Sequence, residues 1–484
     1  MMEELPSSLL KTTIGGIYQV IGGGTPSTKV QEYWQGDIPW ITSADIKGVR
    51  AVQVSRYITE EAIEKSTTNK VPPETLLVVT RVGLGKIAIA DSYICFSQDL
   101  QGLIAPAELI SSQFALYYLS FALQSLKYEG RGTTISGITK KQLKDTILPI
   151  PPFNEQERIV AKIEELLSEL DKGIESLQTV HEQLKVYRQA ILKHAFEGKL
   201  TADWREEMAS SIESVQVTIA SIETPPRPNR WKTRSNDVIF GHSALAVNNP
   251  RTVLPEGWIW TPLVNVAKME SGHTPSRRHP EWWDGDIKWI GIADARLRHG
   301  KTINDTIQHT NEEGLANSAA RLLPKGTVCV SRTASVGYVV TMGDEMATSQ
   351  DFVNWVPTET VTSEWLSLIF SADRETLRRF GKGTTHKTIY FPEWMSVNIA
   401  LPPVSEQMRI VEEVNKIFSV LEKQEEIVDD TLGQSEALRQ SILKQAFSGK
   451  LVAQNPNDEP ASVLLDRINS EKEKNGKMKK GKAA

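Results

Sequence analysis

Several features that mark large protein classes are scarce or missing in this sequence. It has 484 residues but only two cysteines, Cys95 and Cys329, which lie far apart. This rules out a disulfide scaffold or a CxxC zinc module and is typical of a reducing cytoplasm. No apolar run approaches the ~18 residues of a membrane span. The first ten residues contain no basic stretch followed by an apolar core, so we expect no signal peptide.

An excess of positive charge, the usual mark of a nucleic-acid-binding chain, is missing too. The sequence has 55 Lys and Arg against 60 Asp and Glu, a formal net charge of −5. Net charge averages over all surfaces, so this balance still leaves room for small basic loops on a chain that is acidic elsewhere.

Recognisable reaction centres are absent as well. The segment GKGTTHKT at 381–388 resembles a P-loop, but His386 replaces the second required glycine and no strand directly precedes it. We find no GxGxxG turn after a strand, no HExxH motif, no Asn-Pro-Pro-aromatic motif of amino-methyltransferases, and no second ligand pair beside His273 and His279. These absences favour a binding protein over an enzyme.

A long internal duplication dominates the sequence instead. Residues 151–200 and 402–451 align without a gap at an offset of 251 and are identical at 22 of 50 positions. The repeat extends upstream more weakly, with pairs that include Trp34 and Trp283, Trp40 and Trp289, Asp45 and Asp294, Arg81 and Arg332, Asp99 and Asp351, and Gly132 and Gly383. The chain is therefore a pseudo-two-fold molecule in the order globular region, helix, globular region, helix.

Both repeated segments carry the heptad pattern of long packed helices. One apolar column recurs every seven residues, as Ile163, Leu170, Leu177, Leu184 and Ile191 in the first copy and Val414, Leu421, Val428 and Ile442 in the second. A second column holds Ile159, Leu166, Val180 and Tyr187 in the first copy and Ile410, Ile417 and Leu438 in the second. Two helices of matching length in a pseudo-two-fold chain favour an antiparallel coiled coil, with an ordinary two-helix packing element as the alternative.

The ends of these helices have recognisable signals. Asn154 and Ser405 follow the Pro-Pro pairs and are predicted N-caps. Gly198 and Gly449 follow the last apolar residues and are predicted C-caps.

Composition and the repeat together divide the chain into six parts. The predicted parts are a globular domain at 1–150, a helical spacer at 151–200, a linker at 201–253, a second globular domain at 254–401, a second helical spacer at 402–452, and a disordered lysine-rich tail at 453–484. Short β-like runs at 75–80 and 327–331 predict strands inside the two globular domains.

The helical segments, which begin PPxxEQxRIV and end AFxGKL, resemble those of the specificity (S) subunit of type I restriction-modification systems. The resemblance covers essentially the whole chain and implies an α+β fold. Two α/β target-recognition domains would be separated by two long helices that form an antiparallel coiled coil. It also implies that each domain reads one half of a bipartite, asymmetric target in double-stranded DNA, while the coiled coil sets the spacing between the halves.

The resemblance implies partners as well. Two modification (M) subunits would dock on the helices, carry S-adenosylmethionine and methylate adenine. Restriction (R) subunits would add ATP- and Mg-dependent translocation and cleavage. The chain itself would be a non-catalytic, cytoplasmic subunit that binds no cofactor and no membrane.

The duplication sorts the candidate site residues. Positions shared by both domains cannot encode the difference between half-sites, so Trp34, Trp40, Asp45 and their counterparts are predicted to be structural. Divergent loops and basic turns are the candidates for DNA contact. The candidates are Lys47, Arg50, Arg81, Arg131, Thr133, Thr134, Arg296, Arg298, Arg332, Lys382, Thr384, Thr385, His386 and Lys387. Solvated charged loops, tight structural turns or ion pairs with an acid are the alternatives for these positions.

Phe196 and Phe447 occupy equivalent positions near the helix ends. A helix cap does not need a large aromatic side chain, so both residues are predicted to contact a modification subunit. Two other functions stay open at this point. One is a structural adaptor with two protein-binding heads, and the other is a methyltransferase whose chemistry is unrecognised.

Overall fold

The structure is a computed structural model, which describes residues 9–48, 52–81, 85–105, 110–129, 137–208, 215–221, 223–226, 234–236, 238, 244–248, 250, 253–333, 335–372, 374–383 and 387–481. The chain divides into two compact units. The first unit joins Met1–Gln178 to Asp429–Ala484, and the second is Thr179–Val428.

The first unit contains a globular domain built on two short sheets. Its strands are β1 (Leu10–Thr13), β2 (Gln19–Gly22), β3 (Ile38–Ile41), β4 (Arg56–Ile58), β5 (Lys70–Val71), β6 (Leu76–Val79), β7 (Ile87–Ile89), β8 (Ile94–Phe96), β9 (Leu100–Ile104) and β10 (Ile147–Ile150). Its helices are α1 (Ile14–Ile17), α2 (Glu60–Glu64), α3 (Ser112–Glu129) and α4 (Lys140–Asp145), with a 3₁₀ turn at Gln31–Trp34. The sheets run β2-β9-β6-β7 and β4-β3-β8-β5, and β1 pairs with β10.

The second unit begins at Thr179, inside the long helix α5 (Phe153–Phe196). Its strands are β11 (Leu245–Val247), β12 (Ile259–Pro262), β13 (Ala267–Ser271), β14 (Trp283–Ile290), β15 (Lys301–Ile303), β16 (Gln308–Thr310), β17 (Val328–Ser331), β18 (Val339–Met342), β19 (Ala347–Thr348), β20 (Phe352–Pro357) and β21 (Val397–Leu401). Its short helices are α6 (Ala202–Met208), α7 (Val215–Ser221), α8 (Ile292–Leu297), α9 (Glu312–Ala316), α10 (Ser363–Ala372), α11 (Arg374–Phe380) and α12 (Phe391–Trp394), with 3₁₀ turns at Leu263–Asn265 and Pro280–Trp282. The chain ends with the long helix α13 (Val404–Phe447) and with α14 (Ala461–Gly481).

The two globular domains repeat one topology. The order β13-β20-β17-β18 in the second domain matches β2-β9-β6-β7 in the first, and β16-β14-β19 matches β4-β3-β8. The central strands β6 and β17 are fully buried, as expected for the uninterrupted apolar runs from which they were predicted. The mixed helix and strand content and the repeated domain confirm the predicted α+β class and the duplication.

Both long helices begin directly after a Pro-Pro pair. The carbonyl of Pro152 accepts hydrogen bonds from the backbone N–H groups of Glu155 and Gln156 at 2.9 and 3.0 Å. The N-caps predicted at Asn154 and Ser405 are therefore wrong, because both residues already lie inside the first helical turn.

The predicted C-caps are confirmed. Gly198 has φ +66° and Gly449 has φ +71°, in the left-handed region that favours glycine. The Lys199 N–H donates to the His194 carbonyl at 2.9 Å, and the Lys450 N–H donates to the Gln445 carbonyl at the same distance. These bonds close the last helical turn and satisfy carbonyls that would otherwise have no partner.

Within each unit the two long helices run antiparallel, as predicted. In the first unit Arg439 of α13 pairs with Asp171 of α5. In the second unit Arg188 of α5 lies 3.4 Å from Glu425 of α13 and over the ring of Phe418 at 4.4 Å. Arg188 and Arg439 occupy equivalent positions of the repeat, so the duplicated arginine makes the cross-helix ion pair in both units.

The heptad prediction is right for the first column and for part of the second, in which Ile159 and Ile410 are buried. The first column lies against the partner helix, with Ile163, Leu184, Val414, Leu421 and Val428 buried, and Ser435 fills a buried position of the same column. Much of the second column faces outward, and the predicted burial of Val180, Tyr187 and Leu438 is wrong because these side chains are 40%, 51% and 51% exposed. The helix pair therefore keeps an uncovered apolar stripe.

Two predicted boundaries also need correction. The predicted linker at 201–253 contains β11, which pairs antiparallel with β21 and so belongs to the second globular domain. The predicted disordered tail at 453–484 contains α14, whose Leu464 and Ile468 are buried in the core of the first unit. Their spacing of four residues places both on one helix face, which is why they reach the core together. No helix in the described part of the chain has the length and apolarity to cross a membrane.

Candidate nucleic-acid interface

The residues shared by both domains form hydrogen bonds that fix the loops and strands of each domain. The Asp45 carboxylate accepts hydrogen bonds from the Thr42 backbone N–H at 2.7 Å, the Thr42 hydroxyl at 2.8 Å and the Ser55 hydroxyl at 2.9 Å. Burial alone would raise the pKa of Asp45, but these hydrogen bonds outweigh it and the pKa lies below its ordinary value. The carboxylate therefore ties the loop after β3 to the strand β4.

The second domain repeats this arrangement with its own aspartate. Asp294 accepts the backbone N–H of Gly291 at 2.9 Å and that of Ile307 at 2.8 Å. The repeated TPS and SQD segments also meet, because the Thr25 hydroxyl bonds to Gln98 at 2.5 Å and Thr274 bonds to Gln350 in the same way. These contacts support the structural role that the sequence predicts for the shared positions.

Three divergent loops converge in the second domain. The β17–β18 loop contacts the 381–388 segment, where the hydroxyls of Thr333 and Thr388 lie 2.7 Å apart. At its other end, the ring of Tyr338 lies 5.7 Å from that of His299, which follows α8. The segments that carry Arg296, Arg298, Arg332, Lys382 and Lys387 are thereby brought to one region of the domain.

This region is basic. The Arg374 guanidinium lies 4.0 Å from the Tyr338 ring, and Arg296 is exposed beside it. A hydrogen bond from Arg374 and the positive charges of Arg374 and Arg296 hold the pKa of Tyr338 below its ordinary value. Burial and the Arg374 charge lower the pKa of His299. This concentration of cations suits an anionic ligand.

The predicted cations differ in their exposure and in their contacts with other side chains. Arg296, Arg298 and Lys387 are exposed. Lys382 is also exposed, but its Nζ pairs with the Glu393 carboxylate at 2.9 Å. Arg332 is half-buried, with its guanidinium 4.5 Å from the Phe391 ring, and burial lowers its pKa. Arg332 is therefore packed within the loop rather than extended into solvent.

The same three loops meet in the first domain. The Lys86 Nζ donates to the Ser43 carbonyl at 3.4 Å, which joins the β6–β7 loop to the loop after β3. The Ile138 N–H donates to the Thr80 carbonyl at 2.9 Å, which joins the segment after α3 to the same loop. Lys47 and Arg81 are exposed in these segments. The predicted residues Arg50, Arg131, Thr133, Thr134, Thr384, Thr385 and His386 lie outside the described residues.

Sequence reasoning missed Lys86, Tyr338 and Arg374 in these clusters. A signal for the first two was present, because each directly follows the repeated glycine of its loop, Gly85 or Gly337. Both glycines have left-handed backbones, with φ +97° and +92°. When a turn is repeated in both domains but a different residue follows it in each, that residue is a candidate for a contact that differs between the domains. Arg374 lies on a separate helix and has no such signal.

The two phenylalanines predicted to contact a partner are interior residues. Phe196 is 2% exposed and packs edge-on against Trp365 at 5.7 Å. Phe447 is 6% exposed and packs against three aromatic rings at 5.1 to 5.9 Å, those of Phe114, Tyr118 and Phe121. This packing accounts for the repeated phenylalanine without a partner protein, and a direct partner contact would require its exposure.

The repeated glutamine of the EQ motif is also interior. Gln156 donates to the Pro151 carbonyl at 3.1 Å and accepts from the Ser111 N–H at the same distance. Gln407 donates to the Pro402 carbonyl at 2.8 Å and accepts from the Thr362 N–H at the same distance. Each glutamine thus locks the start of a long helix onto its own globular domain. In the described residues, no group of three or more His, Cys, Asp or Glu side chains could hold a metal ion.

Comparison with known proteins identifies a family and a similar protein. A family model described as the type I restriction modification DNA specificity domain matches residues 7–185 and again residues 255–428. The type I restriction enzyme EcoKI specificity subunit of Escherichia coli strain K12 is 24% identical over 441 residues, which cover 87% of this chain and 86% of that subunit.

Two solved structures are similar in fold. A chain from a structural study of complex assembly and conformational transition in a type I R-M system has a TM-score of 0.66 at 17% identity, and the match covers 93% of this chain and 100% of that one. The HsdS subunit from Thermoanaerobacter tengcongensis has a TM-score of 0.57 at 17% identity, with 93% and 98% covered. At this identity the likeness shows the fold alone.

Proposed function

This chain belongs to the type I restriction-modification DNA specificity family, and from that premise we propose that each of its globular domains reads one half of a bipartite, asymmetric target in double-stranded DNA. The chain is a non-catalytic specificity subunit, as its relatives are named. Methylation and cleavage belong to partner subunits.

One observation carries this proposal. In each domain three loops that differ between the copies meet on a shared framework. Lys86–Ser43 and Ile138–Thr80 contacts join them in the first domain, and Thr333–Thr388 and His299–Tyr338 contacts join them in the second. A duplicated framework with divergent loops is what two readers of unlike half-sites require. Arginine and lysine side chains in these loops can bind guanine edges, and the remaining cations can bind phosphates.

We further propose that two modification subunits dock on the helix pair. The support is the uncovered apolar stripe, where Tyr187 and Leu438 hold equivalent positions and are each 51% exposed. In the second unit Val420 and Ile427 of α13 are also exposed. Exposed apolar patches of this kind mark protein contacts. In this proposal the paired helices also set the number of base pairs between the half-sites.

The cofactors in this proposal lie on the partners. The modification subunits supply S-adenosylmethionine, and the restriction subunits supply ATP- and Mg-dependent activity. The assembly acts in the cytoplasm, where its DNA substrate is. These assignments follow from the proposed role and are independent of the site geometry.

The deciding experiment is methylation-sensitive sequencing of DNA from cells that express this chain together with its modification subunit. We expect one bipartite motif with unlike halves separated by a constant number of unread base pairs. A matched strain that expresses the modification subunit alone serves as the control. Methylation without a motif, or the same motif in the control strain, would contradict the proposal.

A further inference from the structure

Both globular domains carry a tryptophan pair of the same geometry. The rings of Trp34 and Trp40 lie 5.0 Å apart at 89°, and those of Trp283 and Trp289 lie 5.1 Å apart at 89°. The buried indole of each pair donates its N–H to a backbone carbonyl, Trp40 to Gly24 at 3.0 Å and Trp289 to His273 at 3.1 Å. These bonds hold the ring pair in a set orientation.

An arginine lies over the pair in both domains. The Arg56 guanidinium carbon is 5.9 Å from the Trp34 ring and 5.7 Å from the Trp40 ring. The Arg277 guanidinium carbon is 3.8 Å from the Trp283 ring and 5.4 Å from the Trp289 ring. Each domain therefore places an arginine within cation–π distance of the equivalent tryptophan pair.

The two arginines come from different elements. Arg56 lies on β4, in register with Trp40, whereas the residue in register with Trp289 is Gln308. Arg277 directly follows the second TPS segment, where the first copy has Thr28. Thr28 and Arg56 line one cleft of about 700 Å³ in the first domain. In the second domain Arg277 donates to Gln308 at 2.7 Å, so the same two positions meet with the cation exchanged between them.

This exchange indicates that the position of the charge matters more than its source. A cation inherited without function would remain at one alignment position, but here a different residue supplies it in each copy. Within the described part of the chain, neither Arg56 nor Arg277 forms a salt bridge, although the charge of Arg56 helps to lower the pKa of Asp45, and both arginines are exposed. An exposed cation–π contact contributes little to the stability of the fold, so stability alone is a weak reason to keep it.

We propose that Arg56 and Arg277 each bind a backbone phosphate of the DNA beside the half-site that their domain reads. A contact that both domains keep cannot distinguish unlike half-sites, and phosphate is the group that every DNA sequence shares. A guanidinium that packs against indole rings has lost part of its side-chain freedom, and its N–H groups can donate hydrogen bonds to a phosphate. These arginines position each domain on the duplex and do not read bases. This inference rests on the proposed function.

The test measures salt dependence of binding by the complex of this chain with its modification subunits. The probes are a duplex that carries the target found by methylation sequencing and an unrelated duplex of equal length. We expect Arg56→Gln to weaken binding to both duplexes by the same factor and to reduce the slope of log affinity against log salt by about 1. Lys65→Gln, which removes an equal charge from an exposed ion pair with Glu61, should leave the slope unchanged.

A rescue variant separates charge position from general damage. Thr28→Arg combined with Arg56→Gln rebuilds in the first domain the arrangement of the second, so we expect it to restore the wild-type slope. An unchanged slope in Arg56→Gln, or no recovery in a folded double variant, would overturn the inference. If the wild-type complex does not prefer its target duplex, the proposed function fails instead.

Discussion

Arg205 donates two hydrogen bonds, from Nε at 2.9 Å and from Nη2 at 2.7 Å, to the same carboxylate oxygen of Glu406. The buried Glu406 also accepts from the Thr201 hydroxyl and from the Trp258 indole, each at 2.8 Å. This network ties the end of α5 to the start of α13 within the second unit.

The equivalent glutamate of the first unit lacks this network. Glu155 is 1% exposed, and no described residue donates a hydrogen bond to its Oε1. The positions that correspond to Trp258, Thr201 and Arg205 hold Leu9, Val452 and Pro456, none of which has a side-chain donor. The two helix junctions thus share a carboxylate but differ in how it is satisfied.

We predict that Arg205→Ala lowers the free energy of unfolding of the second unit by about 3–5 kcal/mol, because it leaves the Glu406 carboxylate buried without its cation. Chemical denaturation of the purified chain measures this. Arg205→Ala combined with Glu406→Gln should recover much of the loss. A single variant as stable as the wild type would contradict the assigned role.

Glu155→Gln should instead increase the free energy of unfolding at pH 7 by roughly 1–3 kcal/mol, because Oε1 of the buried Glu155 carboxylate has no hydrogen-bond donor among the described residues. Burial raises the pKa of Glu155, Arg158 lowers it and Asp458 raises it, and the net shift is upward. The folded state therefore binds the proton more strongly than the unfolded state. The destabilisation is full above the raised pKa and disappears as the pH falls through the ordinary value near 4.5.

The difference in unfolding free energy between Glu155→Gln and the wild type should therefore disappear as the pH falls from 7 to about 4. Unfolding midpoints measured across this range provide the check. Glu406→Gln is the matched control and should destabilise the chain at pH 7. A gap that widens on acidification would contradict the prediction.

Phe447→Ala and Phe196→Ala should each lower stability by about 3–5 kcal/mol, since each empties a packed aromatic site in its unit. Thermal melting measures the loss. Val186→Ala on α5 is the control, because Val186 is 70% exposed, and its effect should stay within about 0.5 kcal/mol. Phenylalanine variants that melt like the wild type but fail to bind a modification subunit would instead support a direct partner contact.

Leu464→Ala with Ile468→Ala should destabilise the first unit, because both side chains are buried in its core. Single substitutions of this kind cost about 2–5 kcal/mol each. Val463→Ala is the control on the same helix, since Val463 is 41% exposed. Hydrogen exchange of α14 provides the readout, and equal protection in all variants would argue that the helix does not dock.

Arg296→Ala should relax sequence preference in one half of the target only. A base contact contributes about 1–3 kcal/mol to discrimination, and its loss leaves the other half-site unaffected. Methylation sequencing with the variant tests this. Lys423→Ala, on the long helix α13, is the control and should leave both halves unchanged. Equal loss of preference in both halves would assign Arg296 to phosphate or folding.

The sequence alone determined the duplication, the two long helices, their antiparallel pairing and the glycines that end them. These features depend on periodicity and on local backbone preferences, which the order of residues encodes directly. The strands β6 and β17 were predictable for the same reason, because each is an apolar run between turn residues. The EQ motif was visible as a repeat, although its purpose was not.

Tertiary structure decided which repeated faces are covered. A heptad period shows which side chains share a face, but the packing partner decides whether Tyr187 stays outside and Phe447 goes inside. Burial against distant residues also explains why the charged tail contains the docked helix α14. The arginines on the tryptophan pairs lie at different alignment positions in the two copies. Only the folded chain shows that Arg56 and Arg277 take equivalent places in their domains, because Thr28 and Arg56 line one cleft in the first domain and Arg277 bonds to Gln308 in the second.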